Sequence, residues 1–284
     1  MPIIDGKAIA ASLRKEIALR LQNHTIKPHL VVVQIGDNQA STTYVKNKYN
    51  ACKEVGMRCS ILPCSDSITQ DQLLKSIKNL NESNDVNGII VQMPLPAHID
   101  EDAVMLAIDP DKDADGFHPI NVGKMVTNMP GTYPIAATPL GIVNLLMQTD
   151  VNVAGKKVCV VGRSNIVGKP IAALLTNMSA TVTICHSQTK RKDLQRALYE
   201  ADIVILAVGK AKMFNGKDIM PNTVVIDVGI NRDENGKLCG DFDPSGIEPW
   251  MNISYTPVPG GVGPMTIVSL LENVMTLTYA TKGE

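Results

Sequence analysis

The segment "STTYVKNKYN", residues 41–50, places an aromatic ring and an amine where they can act together. Tyr44 and Lys48 are four residues apart, so on a helix they share one face, whereas Lys46 and Lys53 point elsewhere. A lysine that loses part of its hydration can give up its proton and act as a base, and a tyrosine ring can stack on a planar ligand. For an isolated helix, a solvated lysine beside a half-buried tyrosine is the default explanation.

Gln92 is a second candidate, because it stands near the end of a predicted strand. The run "NGIIVQMPL" is apolar up to this residue, and open α/β sheets hold their ligands at the C-terminal ends of strands. The amide would then face a bound molecule. A strand-end amide that bonds to the backbone is the alternative.

The acidic loop "DPDKDADGFHPINV" matches the start of a calcium-binding loop, D-x-D-x-D-G, at residues 111–116. Its twelfth position, which needs a bidentate glutamate, is Val122, and Pro119 interrupts the segment. Calcium is therefore excluded. Asp115 remains either a solvated acid of an ordinary turn or a carboxylate kept for recognition.

A strand, a tight turn and a helix are predicted in "VCVVGRSNIVGKP", and this is the setting of a dinucleotide-binding loop. The strand runs into Gly162, and the helix begins near Gly168, so that backbone amides would face a pyrophosphate. Ser164 stands where the G-x-G-x-x-G pattern has its second glycine. A tight turn with Pro170 in the first helical turn is the alternative, and the context favours nucleotide binding.

The next strand end indicates which nucleotide binds. An NAD enzyme places Asp or Glu there to hold the ribose hydroxyls, but the segment "CHSQTKRK" contains no acid. Ser187 can hydrogen-bond a 2′-phosphate, and Arg163 in the glycine turn can pair with it. We expect NADP rather than NAD. For residues 190–192, Lys-Arg-Lys, a solvated helix start is the better explanation.

Alternating elements position these residues. An apolar stripe, Ile9, Leu13, Ile17 and Leu21, predicts a first helix over 5–22. Continuously apolar strands that alternate with helices predict parallel sheets covered on both faces. Strands are predicted at 29–36, 57–63, 87–95, 156–162, 181–187, 202–209 and 223–231, and helices at 42–55, around 73–80, and at 138–149, 166–177, 193–201 and 266–281. The alternation restarts after residue 155, so a domain boundary is expected within 120–150.

Composition limits the partners. The chain has 284 residues, 27 basic and 28 acidic, with a net charge of −1, which provides no field to attract nucleic acid or a membrane surface. The six cysteines show no C-x-x-C spacing and the histidines no H-x-x-x-H pair, so no metal site is indicated. The N-terminus lacks a signal-peptide pattern. We expect a cytoplasmic protein with a small-molecule substrate.

Several stretches together resemble the bifunctional methylenetetrahydrofolate dehydrogenase/methenyltetrahydrofolate cyclohydrolase family. They are "SxxYVxxK" at 41–48, "GIIVQMPLP" at 88–96, "PDKDADGFHPINVGKM" at 110–125, "TPLGIVNLL" at 138–146, "VVGRSNIVGKP" at 160–170, "IDVGIN" at 226–231 and "TPVPGGVGPMT" at 256–266. They follow the family order across almost the whole chain.

The resemblance implies an α/β fold of two domains with a cleft between them. A folate-binding catalytic domain would comprise residues 1–120 and a C-terminal helix, 265–284. A Rossmann-type NADP-binding domain with a mostly parallel sheet would comprise residues 121–264, including the linking helix at about 138–149. The family also implies a cytoplasmic homodimer in one-carbon metabolism and purine biosynthesis.

The implied reaction is NADP-dependent oxidation of 5,10-methylenetetrahydrofolate to the methenyl cation, followed by hydrolysis to 10-formyltetrahydrofolate. By the resemblance, Lys48 would activate the water, Gln92 would orient the amine, and Tyr44 would stack on the folate. Asp115 would accept hydrogen bonds from the pterin.

The predicted site residues extend beyond these four catalytic ones. The substrate would contact Tyr44, Lys48, Val91, Gln92, Met93, Asp115, Pro259, Gly260, Gly261, Val262 and Gly263. The cofactor would contact Gly162, Arg163, Ser164, Ile166, Ser187, Gly209, Ile230 and Thr266. An NADP-dependent dehydrogenase of another small substrate, or a non-catalytic NADP-binding protein, is the alternative.

Overall fold

The structure is a computed structural model that describes residues 3–279, apart from the side chain of Ala40. Contacts divide the chain into two compact units. We call them the three-stranded unit, Ser12–Ala137 with the segment from Ile267 onward, and the five-stranded unit, Thr138–Thr266 with the segment up to Ala11. Each has its own parallel sheet, so the predicted α/β class with two domains is confirmed.

The first part of the chain builds a sheet of order β2-β1-β3, and both strand pairs are parallel. Strand β2 lies on one side of β1 and β3 on the other, so the strand order reverses at β1, which is the topological switch point of the sheet. Strands β1 and β3 are almost fully buried, and β2 forms a more exposed edge. The elements are α1 (Gly6–Gln22), β1 (His29–Ile35), α2 (Gln39–Val55), β2 (Arg58–Cys64), α3 (Gln70–Glu82), β3 (Gly88–Val91), α4 (Glu101–Ala107) and α5 (Pro119–Val126).

The second part builds a parallel sheet of order β12-β8-β6-β4-β5, with its switch point at β4. The buried strand residues share a core with α8 and the segment around Met251. The elements are α6 (Ala137–Gln148), β4 (Lys157–Val161), α7 (Gly168–Asn177), β5 (Thr181–Cys185), α8 (Arg191–Glu200), β6 (Ile203–Leu206), β7 (Phe214–Asn215), β8 (Val224–Asp227), β9 (Asn231–Arg232), β10 (Leu238–Cys239), β11 (Phe242–Asp243), β12 (Ser254–Tyr255) and α9 (Val262–Tyr279).

The predicted long elements are confirmed, but several ends differ. Strand β3 ends at Val91 and Gln92 follows it, since Pro94 and Pro96 come shortly after and lack the N–H group that a strand ladder needs. Helix α9 begins at Val262, earlier than periodicity predicts, since glycines and a proline in its first turn hide the apolar pattern. The short strands β7 and β9–β12 have two residues each, too few for a periodic signal.

The contact units also differ from the predicted domain boundaries. The N-terminal segment groups with the five-stranded unit, because Ile3 forms a parallel bridge with Tyr255 and the Ile4 amide donates to the Tyr255 carbonyl at 2.9 Å. The Lys7 amide donates to the Gly260 carbonyl at 2.8 Å. The three-stranded unit runs to Ala137, which lies within the range 120–150 expected for the boundary, although after residue 120, where the resemblance would end the first domain.

Within residues 3–279, no helix has the length and apolar character needed to cross a membrane. In the same range, no group of three or more His, Cys, Asp or Glu side chains could hold a metal ion. All six cysteines are free thiols.

Candidate functional site

Lys48 and Gln92 meet at the switch point of the three-stranded sheet. Helix α2, which follows β1, carries Lys48. Gln92 follows β3, and its backbone N–H donates to the Val33 carbonyl of β1 at 2.9 Å. The Lys48 Nζ donates to Gln92 Oε1 at 3.0 Å, and Gln92 Nε2 donates to the Met93 carbonyl at 2.8 Å. The second bond fixes the amide so that its oxygen faces the amine, and a neutral amide orients the amine without adding charge.

Asp115 lies in a loop that continues the sheet beyond β3. The Ala114 amide donates to the Ile89 carbonyl at 3.2 Å, and Ile89 forms a parallel bridge with Asp113. The buried Asp113 carboxylate accepts the amides of Gly116 and His118 at 3.0 and 2.8 Å. Asp113 therefore shapes the loop, and Asp115 is left for another role.

The Asp115 carboxyl and the Lys48 amine influence each other electrostatically. Burial raises the pKa of Asp115, the charge of Lys48 lowers it, and the neighbouring Asp113 raises it again. Asp115 keeps some contact with solvent, but enough protein surrounds it for desolvation to dominate. A half-buried amine and a half-buried carboxyl thus share one site with the amide of Gln92.

Apolar surface next to this pair is exposed. Tyr44, one turn before Lys48 on α2, is 41% exposed, and Met93, next to Gln92, is 40% exposed. Val91, in contrast, is buried in the core of the sheet. Tyr44 offers a flat ring and Met93 a flexible apolar side chain to a ligand, whereas Val91 supports the strand beneath it.

Asn273 is a residue that sequence reasoning missed. Its Nδ2 donates to the carbonyls of Ala114 and Ile135 at 2.9 and 2.7 Å, and its Oδ1 accepts the Ile135 amide at 3.2 Å. It is 2% exposed on α9 and holds the loop that carries Asp115. Helix α9 carries several other polar residues, such as Ser269 and Glu272, so the sequence gives no signal that singles out Asn273.

The turn after β4 has no room for a side chain at either of its two glycines. Gly162 has φ +130°, and a Cβ there would collide with the Ala207 backbone. A Cβ at Gly168, the first residue of α7, would collide with Gly162 and Arg163. Ser164 Oγ accepts the Val167 and Gly168 amides at 3.1 and 3.3 Å. Such a tight turn into a helix start is a cradle that fits a nucleotide phosphate.

Most of the predicted cofactor residues lie at one edge of the five-stranded sheet. The Gly162 amide donates to the Cys185 carbonyl at 2.9 Å, which aligns the ends of β4 and β5. Because β4, β5, β6 and β8 are parallel, their C-terminal ends share this edge. Residues that follow these ends are Gly162, Arg163, Ser164, Ile166, Ser187, Gly209 and Ile230. Ile166 and Ile230 are 52% and 54% exposed, so they offer apolar surface to a planar ring.

The other predicted residues lie elsewhere in the five-stranded unit. Thr266 Oγ1 on α9 is 3.1 Å from Thr138 Oγ1 on α6. The glycine segment 259–263 is anchored by the bond from Lys7 to Gly260 and by Gly261, which packs so closely on Gly6 that a Cβ on Gly6 would collide with it. Pro259 is exposed, Gly260 and Gly263 are half-buried, and Gly261 and Val262 are buried.

Comparison with known proteins identifies the family. Residues 4–115 match the model of the tetrahydrofolate dehydrogenase/cyclohydrolase catalytic domain, and residues 136–282 match the model of its NAD(P)-binding domain. The bifunctional protein FolD of Listeria innocua is 48% identical over 96% of this chain and 95% of its own.

Two solved structures extend the comparison. The FolD methylenetetrahydrofolate dehydrogenase/cyclohydrolase of Campylobacter jejuni has a TM-score of 0.92 at 42% identity, with full coverage of both chains. The Trypanosoma brucei enzyme, complexed with NADP cofactor and inhibitor, has a TM-score of 0.89 at 35% identity and covers 98% of each chain. The resemblance seen in the sequence is thereby confirmed, and the chain belongs to the tetrahydrofolate dehydrogenase/cyclohydrolase family.

Proposed function

We propose that this protein oxidises 5,10-methylenetetrahydrofolate with NADP and then hydrolyses the 5,10-methenyl product to 10-formyltetrahydrofolate. The observation that carries the proposal is the bond from Lys48 Nζ to Gln92 Oε1, 3.0 Å long, at the switch point of the three-stranded sheet. Family membership supports both activities, since the relatives named above are described as bifunctional.

In the hydrolysis step, Lys48 removes a proton from the water that attacks the methenyl carbon. A lysine can do this when a cationic substrate and exclusion of water disfavour its own positive charge. Gln92 supports the neutral amine, because its Oε1 accepts a hydrogen bond and carries no charge that would retain the extra proton. When the bond between that carbon and N5 breaks, the remaining hydroxyl proton passes to N5, and the first proton returns to solvent from Lys48, so one proton is released for each 10-formyltetrahydrofolate formed.

Asp115 and Tyr44 bind the substrate. The Asp115 carboxylate accepts hydrogen bonds from the pterin N–H groups, and the exposed Tyr44 ring stacks on the folate. The catalytic set is therefore Lys48, Gln92, Tyr44 and Asp115. Met93 offers exposed apolar surface at the strand end, and Val91 can contribute only its backbone because its side chain is buried. Residues 259–263 are assigned to the substrate by the resemblance alone.

NADP, when bound, supplies the hydride acceptor. The cradle at Gly162, Ser164 and Gly168 fits its pyrophosphate, and the exposed Arg163 and Ser187 suit a 2′-phosphate because no acid follows β5. Ile166, Gly209, Ile230 and Thr266 complete the cofactor set.

We also infer the setting of the enzyme. The three-stranded unit would be the folate-binding catalytic domain, and the five-stranded unit the NADP-binding domain. From family membership we further infer a cytoplasmic homodimer that supplies formyl groups for purine biosynthesis.

One assay tests the proposal. The protein is mixed with methylenetetrahydrofolate and either NADP or NAD, and the absorbances of the reduced cofactor and of the methenyl compound are followed together. We expect reduced cofactor to accumulate faster with NADP and the methenyl signal to decay enzymatically. Oxidation without enzymatic decay would contradict the cyclohydrolase assignment, and absence of both would favour another small substrate.

A further inference from the structure

Two buried carboxylates lie in the five-stranded unit, outside the catalytic set. Asp227 ends β8 and is 2% exposed, and Asp241 precedes β11 and is fully buried. In the described part of the chain, none of the ion pairs involves either of them. Because a buried carboxylate without partners is costly, their partners must be hydrogen-bond donors.

Asp241 joins two segments that follow neighbouring parallel strands. Its Oδ2 accepts the amides of Val208 and Gly209 at 2.6 and 3.1 Å, after β6. Its Oδ1 accepts the backbone amide of Lys210, in the same segment, at 2.8 Å. The same oxygen accepts the side-chain amide of Asn231, which follows β8, at 2.9 Å. Four donors converge on one carboxylate, which therefore fixes the conformation of both segments.

Asp227 fixes Asp241 in turn. Its Oδ1 accepts the amides of Gly229 and Asp241 at 2.9 and 3.0 Å, and its Oδ2 accepts the Phe242 amide at 2.9 Å. Asp227 thus holds the peptide that carries Asp241, together with the turn that leads from β8 to Ile230.

Two glycines leave the space that the Asp227 and Asp241 carboxylates occupy. A Cβ on Gly229 would collide with the Asp241 carboxylate, and a Cβ on Gly240 would collide with the Asp227 carboxylate. The two segments held by Asp241 contain Gly209 and adjoin Ile230, both among the residues assigned to the cofactor. Gly209 has φ +65°, a left-handed conformation that the Asp241 bonds to its own amide and to its neighbours stabilise.

We propose that Asp241, held in place by Asp227, is a positioning residue that sets the affinity for the nicotinamide cofactor by fixing the backbone at residues 208–210 and the side chain of Asn231. The inference rests on the proposed NADP site. Asp241 lies beneath these segments, so it acts through them and not by contact with the cofactor. Hydrolysis of methenyltetrahydrofolate, which needs no nucleotide, should not depend on it.

The test is Asp241→Asn in the full-length protein. The amide keeps the size of the side chain but turns a donor toward backbone N–H groups, so the two segments lose part of their anchor. We expect the dissociation constant and the KM for NADP to rise about tenfold, with the KM for methylenetetrahydrofolate and the rate of methenyl hydrolysis within about twofold of wild type. Calorimetry measures the NADP binding directly.

Asp243→Asn is the matched control, because Asp243 lies two residues away and, within residues 3–279, its carboxylate accepts the Ser245 amide at 2.9 Å and none of the amides that Asp241 holds. It should bind NADP as the wild type does. If Asp241→Asn lowers hydrolysis and NADP affinity equally, the residue is merely structural and the inference is wrong.

A second variant covers the case in which Asp241→Asn does not fold. Asn231→Ala removes one of the four donors, and we expect about a threefold loss of NADP affinity with unchanged hydrolysis. Unchanged NADP affinity would overturn the inference. Wild-type protein that binds neither NADP nor NAD would contradict the proposed function itself, and the inference with it.

Discussion

At the residue scale, the catalytic proposal depends on one amine. The Lys48→Met variant keeps an apolar side chain at this position but loses the nitrogen that accepts the proton from water. A general base typically accelerates a reaction by about 100-fold to 10,000-fold. We expect methenyl hydrolysis to fall by at least about 100-fold, with the protein still folded. Stopped-flow decay of the methenyl absorbance gives the rate.

The control for this prediction is Lys46→Met, because Lys46 is exposed on the same helix α2. Its hydrolysis rate should match that of the wild type. Equal rates in Lys48→Met and wild type would refute the assignment of Lys48 as the base.

The raised pKa of Asp227 predicts that the stability of the protein depends on pH. Desolvation raises its pKa from 3.8 to about 6, against the lowering effect of the amides of Phe242, Asp241 and Gly229, and the charge of Asp241 adds to the rise. An acid whose pKa is higher in the folded state stabilises the fold at low pH, and this advantage is lost as pH rises from about 4 to about 6. The loss corresponds to about 3 kcal/mol.

The measurement compares wild type with Asp227→Asn by urea unfolding between pH 4 and pH 7. Asparagine does not titrate, so the stability of wild type relative to the variant should decrease by about 3 kcal/mol over this range. Asp241, Asp233, Asp243, Lys212 and Lys237 also line the space around Asp227 or lie next to it, and both proteins retain them. A constant difference between the two curves would contradict the prediction.

At the element scale, the turn between β4 and α7 depends on glycine. In Gly162→Ala, the new methyl group meets the Ala207 backbone, and φ +130° is strained for alanine. The turn must shift, and with it the amides at the start of α7, so NADP affinity should fall at least about tenfold. Equilibrium titration with NADP measures it.

Gly123→Ala is the contrasting change, because Gly123 lies inside α5 and nothing would contact its Cβ. It should leave NADP binding unchanged and stabilise the protein by about 0.5–1 kcal/mol. Equal NADP binding by wild type and Gly162→Ala would mean that the turn does not hold the phosphate.

The elements show how far sequence reasoning reaches. Periodicity and apolar runs predict the long helices and strands, and thereby the placement of Lys48 on α2 and of Gln92 near the C-terminal end of the strand that became β3, although β3 ends one residue before it. They do not predict Asp227 or Asp241, whose partners lie up to 33 residues away in loops. Side-chain bonds to distant backbone amides follow no local pattern, so only the folded chain reveals them.

At the scale of the whole molecule, contacts between distant parts of the sequence fix the site. Helix α9 returns to the three-stranded unit, and its Asn273 bonds to residues 138 and 159 positions earlier in the chain, Ile135 and Ala114. These bonds hold the two ends of the segment that contains Asp115. The end of the chain therefore positions a residue near the middle of it.

Asn273→Ala should accordingly affect stability and folate binding together. It leaves the buried carbonyl of Ala114 and the part-buried carbonyl and amide of Ile135 without their partner, at a cost of about 1–3 kcal/mol, and it frees the loop that carries Asp115. We expect a lower urea midpoint and a higher KM for methylenetetrahydrofolate, with the dissociation constant for NADP unchanged because its proposed site lies in the other unit. Thr276→Ala, at a half-buried position on the same helix, should leave all three quantities near wild type. A variant that loses stability but keeps the wild-type KM would show that Asn273 supports the core without positioning Asp115.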